Sequence, residues 1–226
     1  MKFVFPLLTL VFATTASAAI LHDNGAPNLI NSARSDADNG VQRGDKLTVT
    51  TGETLQSIQW WGIYAFANTP QSVDAFTARI YSIVNGTPNQ NPLVEIPLTV
   101  TRQATAQTIG GRTVYVYGST IPNTILGPGD YVFSLMNDTT ADTDDSWFWT
   151  LGTVTTAIAF ERNAMSDPWN EFGADLVTPV PPHAFNISGL IVPEPTTFSL
   201  LAVAGLGLAL KRNRKRFVVP SSAGRA

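Results

Sequence analysis

Residues 127–151 read GPGDYVFSLMNDTTADTDDSWFWTL, and the fold is decided there. Gly127-Pro128-Gly129-Asp130 is a turn signal. In the six residues that follow, Tyr131, Phe133 and Leu135 alternate with Val132, Ser134 and Met136. A period of two puts the first set on one face of an extended strand, read here as the inward face. A polar stretch with four acids comes next, and then Trp147, Trp149 and Leu151 share a face while Phe148 and Thr150 take the other. Turn, alternating strand, polar loop, alternating strand: this is how an antiparallel sheet with one covered face is written.

The pattern extends both ways. Runs rich in Val, Ile, Thr and aromatic residues at 46–50, 54–66, 73–84, 93–101, 113–117, 131–136, 146–151, 155–160 and 184–191 are separated by Gly, Pro, Asn and Asp clusters. Short strands at short spacing predict an all-β sandwich or barrel. No long stretch before residue 193 repeats apolar residues at helical spacing without a breaker. The run 54–66 is apolar on both sides, with Ile58, Trp60 and Tyr64 on one face and Trp61 and Ile63 on the other. Such a strand is central beneath a cover, or it keeps one face for a ligand. Asn85-Gly86 after Val84 marks a further turn, and 163–182, with four prolines, reads as a long loop laid against a sheet. Neither an internal repeat nor a second domain is visible.

The two termini differ from this middle. Lys2 is followed by an apolar run over 3–12 and by small residues over 13–19, with Ala16-Ser17-Ala18 as a small-x-small site. That is the layout of a secretory signal peptide over 1–18, and its apolar core is too short to span a bilayer. Near the other end, 196–210 (TTFSLLAVAGLGLAL) is uncharged and mostly apolar, and Lys211, Arg212, Arg214, Lys215 and Arg216 follow directly. A 15-residue helix rises about 22 Å, short of a hydrocarbon core near 30 Å, and snorkelling or local thinning covers the difference. Pro193 and Pro195 prevent its backward extension. The basic cluster places the tail 217–226 in the cytoplasm and residues 19–191 outside as the ectodomain.

Val192-Pro193-Glu194-Pro195, the apolar run and the basic cluster, in that order, closely resemble the PEP-CTERM sorting signal of Gram-negative bacteria over 192–216. The tail 217–226 extends past the point where that pattern usually stops. The resemblance implies recognition by an exosortase-type membrane transpeptidase, cleavage near Pro-Glu-Pro, and a destination at the cell surface or beyond. From Ile58 onward the chain also resembles a family of exported bacterial domains found with this signal. The shared features are Trp60-Trp61-Gly62, Ile80-Tyr81, Asn85-Gly86-Thr87-Pro88, Tyr115-x-Tyr117, Gly129-x-Tyr131 and Trp147-x-Trp149. It implies a jelly-roll-like antiparallel β-sandwich and brings no activity with it.

Composition narrows the chemistry. All 17 acidic residues lie between Asp23 and Glu194, against seven basic ones there, so this region carries −10 although the whole chain carries −3. Such a field repels phosphate backbones, which argues against a nucleic-acid partner. The absence of cysteine excludes thiol catalysis and Cys-ligated zinc. Two histidines, His22 and His183, and no Gly-x-Ser-x-Gly elbow offer little to a serine hydrolase. A secreted glycan-acting hydrolase would need a carboxylate pair, and Asp74 with Glu95 is the pair to watch. Asp138, Asp142, Asp144 and Asp145 offer hard oxygens suited to Ca²⁺, without EF-hand spacing. Trp61, Trp147 and Trp149 are candidate platforms for stacking on sugar rings. The expectation is a non-enzymatic surface or matrix protein, without a resident cofactor, that contacts exopolysaccharide.

Overall fold

Fourteen strands account for the regular structure of the computed structural model, which describes residues 18–65, 70, 73–141, 145–154, 158–173 and 180–192. The signal peptide up to residue 17, the stretch 193–226 and the pair Asp142 and Asp144 lie outside the described residues. Among those described, no helix is long and apolar enough to cross a membrane. The strands are β1 (Ala19–Asp23), β2 (Pro27–Arg34), β3 (Gln42–Val49), β4 (Glu53–Ala65), β5 (Thr77–Val84), β6 (Thr87–Pro88) and β7 (Val94–Pro97). They continue as β8 (Thr101–Ile109), β9 (Arg112–Leu126), β10 (Gly129–Met136), β11 (Ser146–Gly152), β12 (Ala159–Arg162), β13 (Asn170–Glu171) and β14 (Phe185–Ile191).

Two seven-stranded sheets result, and every strand pairing within them is antiparallel. In the first, β4 is central: β9 and then β8 lie on one side, and β14, β1, β11 and β2 on the other. In the second the order is β13-β12-β3-β10-β5, with β6 and β7 on the free edge of β5. The pairings β2–β11, β3–β10 and β4–β9 nest inside one another, as in a long hairpin that has been rolled up.

One core joins the sheets. Leu47, Val49, Ile80 and Phe133 of the second face Leu55, Trp60, Tyr117, Trp147, Trp149 and Phe185 of the first. Phe76 sets its ring edgewise against Trp60, Tyr117 and Trp147 at centroid distances of 5.1, 5.1 and 4.8 Å. Each large side chain so buried removes its apolar surface from water, at about 25 cal/mol per Å². Tyr131, Phe133 and Leu135 point inward as their alternation predicts.

β4 resolves the alternatives left by its two apolar faces. Ile58, Trp60 and Tyr64 enter the main core. Trp61 and Ile63, on the opposite face, join Ile109, Val114 and Phe148 in a separate small core. The sheet curls until β8 meets β2, so it covers its own second face there.

Several predicted boundaries are corrected. β1 and β2 precede the first predicted strand, and the run 93–101 divides into β7 and the start of β8. β9 continues to Leu126 through Pro122, because residues 121–123 stand opposite Gln56 alone in a wide irregularity, where a missing amide hydrogen costs no ladder bond. Asp74 lies ahead of β5 rather than within it. The run 155–160 is strand from Ala159, and 155–157 lie outside the described residues. The Asn85-Gly86 turn has φ of 52° and 81°, the positive pair such a hairpin turn uses.

Register defines two ends. Val49 pairs with Gly129, and Glu53 pairs with both Leu126 and Ile191, so the turns at 50–52 and 127–128 share one end with the close of β14. Ala65 pairs with Ser146, and the 110–111 hairpin tip, Asp36, Asp74 and Asn137 gather at the other.

Candidate functional site

The first feature is a junction. β14 lies between β1 and β4, with Ala19 opposite Gly189 and Ile191 opposite Glu53. The Val192 amide still donates to the Gly52 carbonyl at 2.7 Å. The first residue of the predicted sorting motif is therefore part of the sheet hydrogen bonding. Pro193, Glu194, Pro195 and the basic stop Lys211, Arg212, Arg214, Lys215 and Arg216 lie outside the described residues.

The second feature is a polar cluster at the opposite end. Tyr64, the last inward side chain of β4 before the loop, donates its hydroxyl to the Asp74 carboxylate. Asn137 Nδ2 reaches Tyr64 Oη at 3.0 Å and Asp74 Oδ1 at 3.2 Å, and Arg102 Nη1 lies 3.1 Å from Asp74 Oδ2. Burial pushes the Asp74 carboxyl up, against the pull of Tyr64, Arg102 and Asn137. Burial, then the Asp74 charge, pushes the Tyr64 phenol up as well. Burial pulls the Arg102 guanidinium down, but Asp74, Tyr64 and Tyr117 together outweigh it, so its affinity for the proton rises. Asp36 nearby caps the same end, accepting from the Trp147 amide, the Thr139 hydroxyl and the Asp38 amide. The sequence singled out Asp74 here. Nothing in it marked Arg102 of β8 or Asn137 just after β10, which are far from Tyr64 in the chain.

The third feature is a groove of about 420 Å³ on the outer face of the first sheet. Gln59, Thr101, Arg102, Gln103, Val116, Tyr117 and Gly118 line it. Val116 is the cross-strand partner of Trp61, and Gln59 precedes Trp61 by one same-face position. Half-buried Trp61 thus flanks a groove bordered by two amides and a hydroxyl. Trp147 and Trp149 do not serve as platforms: both are 0 % exposed. Their face of β11 is the one that turns toward the second sheet, and alternation alone could not distinguish a covered aromatic face from a displayed one. Trp147 packs so close to β4 that a Cβ at Gly62 would stand 2.3 Å from its Nε1.

The remaining candidates are dispersed. Asp74 pairs with Arg102 and Glu95 with Arg79, so the two carboxylates share no cation. Asp138 is exposed and accepts from Thr140, whereas Asp145 is fully buried. Among the described residues no three carboxylates or imidazoles gather as a metal site. His22 pairs with Glu53 at 2.7 Å. His183, stacked on Trp149, faces Asp45 through Nδ1 at 3.0 Å, and its Nε2 is buried without a hydrogen-bond partner. Asp45 also accepts from the His183 amide and from Asn24 Nδ2, which fastens β3 to the opposite sheet. On the outer face of the second sheet, fully buried Arg162 donates to Gln42 Oε1, the Tyr81 hydroxyl and the carbonyls of Gln90 and Met165.

Compared with known protein families, residues 192–215 match the PEP-CTERM protein-sorting motif. No curated protein and no solved structure matches the chain. The motif marks the chain as an exported protein, made as a membrane-anchored precursor and sorted by an exosortase-type enzyme.

Proposed function

We propose that the sandwich is a non-enzymatic module of the cell surface or extracellular matrix, displayed by this sorting route, and that it contacts exopolysaccharide through the groove beside Trp61. The observation that carries the reading is the composition of that groove. Gln59, Gln103 and Thr101 supply neutral donors and acceptors at the side of a tryptophan ring, the pairing that suits hydroxyl-rich rings with apolar C–H faces, while the lining Arg102 is paired with Asp74. The −10 charge of the exported region favours a neutral or cation-bridged glycan over a polyanion. Calcium, as the bridging cation, would enter at the exposed Asp138 rather than at the buried Asp145.

The test is a glycan array probed with residues 19–192, with and without Ca²⁺, alongside a reducing-sugar assay on the same ligands. Binding to an exopolysaccharide fragment should weaken about tenfold in Gln103→Ala and in Trp61→Ala, equivalent to ~1.4 kcal/mol. Both variants should keep the parental far-UV circular dichroism. Release of reducing ends would replace this reading with a hydrolase. Absence of binding to every glycan would leave a purely structural role.

A further inference from the structure

The end of the sandwich at which β14 closes differs in chemistry from the rest of the surface. The large side chains exposed there are Ile125, Ile191 and Ile20, at 71, 61 and 60 %. Ile20 pairs with Ser188, Ile191 with Glu53, and Ile125 with Thr54, so all three lie within the last few rungs of the first sheet. The turns beside them, Thr50-Thr51-Gly52 and Gly127-Pro128, are uncharged and largely exposed. The nearest ionisable groups are already paired, Lys46 with Asp130 and His22 with Glu53. The opposite end carries Asp36, Asp38, Asp74, Asp138 and Asp145. In a region of net −10, an uncharged apolar rim at one end is a marked polarity.

That rim is also where the chain leaves the fold. Val192 is bonded to Gly52, and the apolar stretch begins at Thr196. Four residue steps span at most about 14 Å even when fully extended. One interfacial layer of a bilayer is roughly 5–8 Å thick. The connection is therefore too short to hold the domain well clear of the surface.

We propose that the anchored precursor stands directly on the membrane through this rim, with Ile125 and Ile191 in the lipid headgroup layer and Ile20 about three rungs behind them. The Tyr64–Asp74 end is then held about 40 Å above it, taking ~3.3 Å per residue along β9. Acids placed far from an anionic surface avoid repulsion that is felt within a Debye length of about 10 Å. The proposal rests on the sorting motif and is independent of any glycan.

The chain has no cysteine, so single labelling sites are clean. The full-length precursor carrying Thr51→Cys at the rim or Gln107→Cys near the far end is labelled with an environment-sensitive fluorophore. It is reconstituted into phosphatidylcholine–phosphatidylglycerol vesicles containing headgroup spin-labelled lipid. The rim label should lose most of its emission and the far label little. Adding Ile125→Glu, or the milder Ile125→Gln, should at least halve the quenching at residue 51, with tryptophan emission confirming the fold. Equal quenching at both sites, or rim quenching that ignores both substitutions, overturns the proposal. So does quenching or protection at the rim that appears only when an exosortase-type enzyme is present, which would make the enzyme its occupant. A precursor that fails to float with the vesicles would instead refute the anchor itself.

Discussion

Gly62 shows how one missing methyl group fixes a core. It lies between Tyr115 and Trp149 in register, and the Trp147 indole occupies the space its Cβ would need, at 2.3 Å from Nε1. Gly62→Ala should therefore cost about 1–3 kcal/mol, the usual penalty for overpacking a dense interior, read as a lower Tm. Trp147→Phe, which shortens the ring, should remove most of that penalty in the double variant. An equal cost in both backgrounds would show that the indole is not the cause. The sequence displays Trp60-Trp61-Gly62 and Trp147-x-Trp149 as separate motifs, and their dependence on each other becomes visible only when β11 is laid beside β4. For the same reason the sequence could not tell that Trp147 and Trp149 are covered while Trp61 stays half-buried. Alternation states which residues share a face, and the opposing sheet states what covers it.

Among elements, β12 and the segment after it are held by an arginine whose hydrogen bonds, among the described residues, go to uncharged groups. Arg162 spends its donors on Gln42, Tyr81 and two carbonyls, and lies over the Trp169 ring at 4.6 Å. Burial pulls its guanidinium below the usual range, with the Tyr81 oxygen acting in opposition. A planar fork satisfies this set and a point charge does not, so Arg162→Lys should cost about 2–3 kcal/mol. The corresponding fall in Tm is roughly 4–12 °C for a domain of this size. Limited proteolysis should then cut within 163–169, and an unchanged digestion pattern would count against a pinning role. The sequence predicted a loop laid against a sheet in this region and could not indicate the residue that holds it. Long strands with regular alternation were legible, β10 most of all. β1 and β2 were not, because their residues are largely exposed and Pro27-Asn28-Leu29 reads as a turn. Their strand character comes from β14 and β11, which pair with them.

For the whole molecule, both sheets contribute to one core, and Asp45 ties them at the edge through His183 and Asn24. Residues 19–192 should accordingly unfold in a single transition. Denaturation followed by far-UV circular dichroism and by tryptophan emission should coincide, since Trp60, Trp147 and Trp149 all report on the shared core. Separate midpoints would mean that the sheets are independent. The export route and the all-β class were legible because termini and alternation are local. The groove and the polar end were not, since each is assembled from strands far apart in the chain. The position of β14 adds a constraint on timing. Among the described residues, the strand that begins the exported domain pairs only with the strand that ends it, and that strand also fills the gap beside β4. A chain crossing a membrane N-terminus first holds β1 unpaired until residue 191 emerges, when the hydrophobic stretch that follows is already entering the bilayer. Closure of the first sheet therefore cannot precede the arrival of that stretch at the membrane, and folding of the exported domain is completed from its C-terminal end.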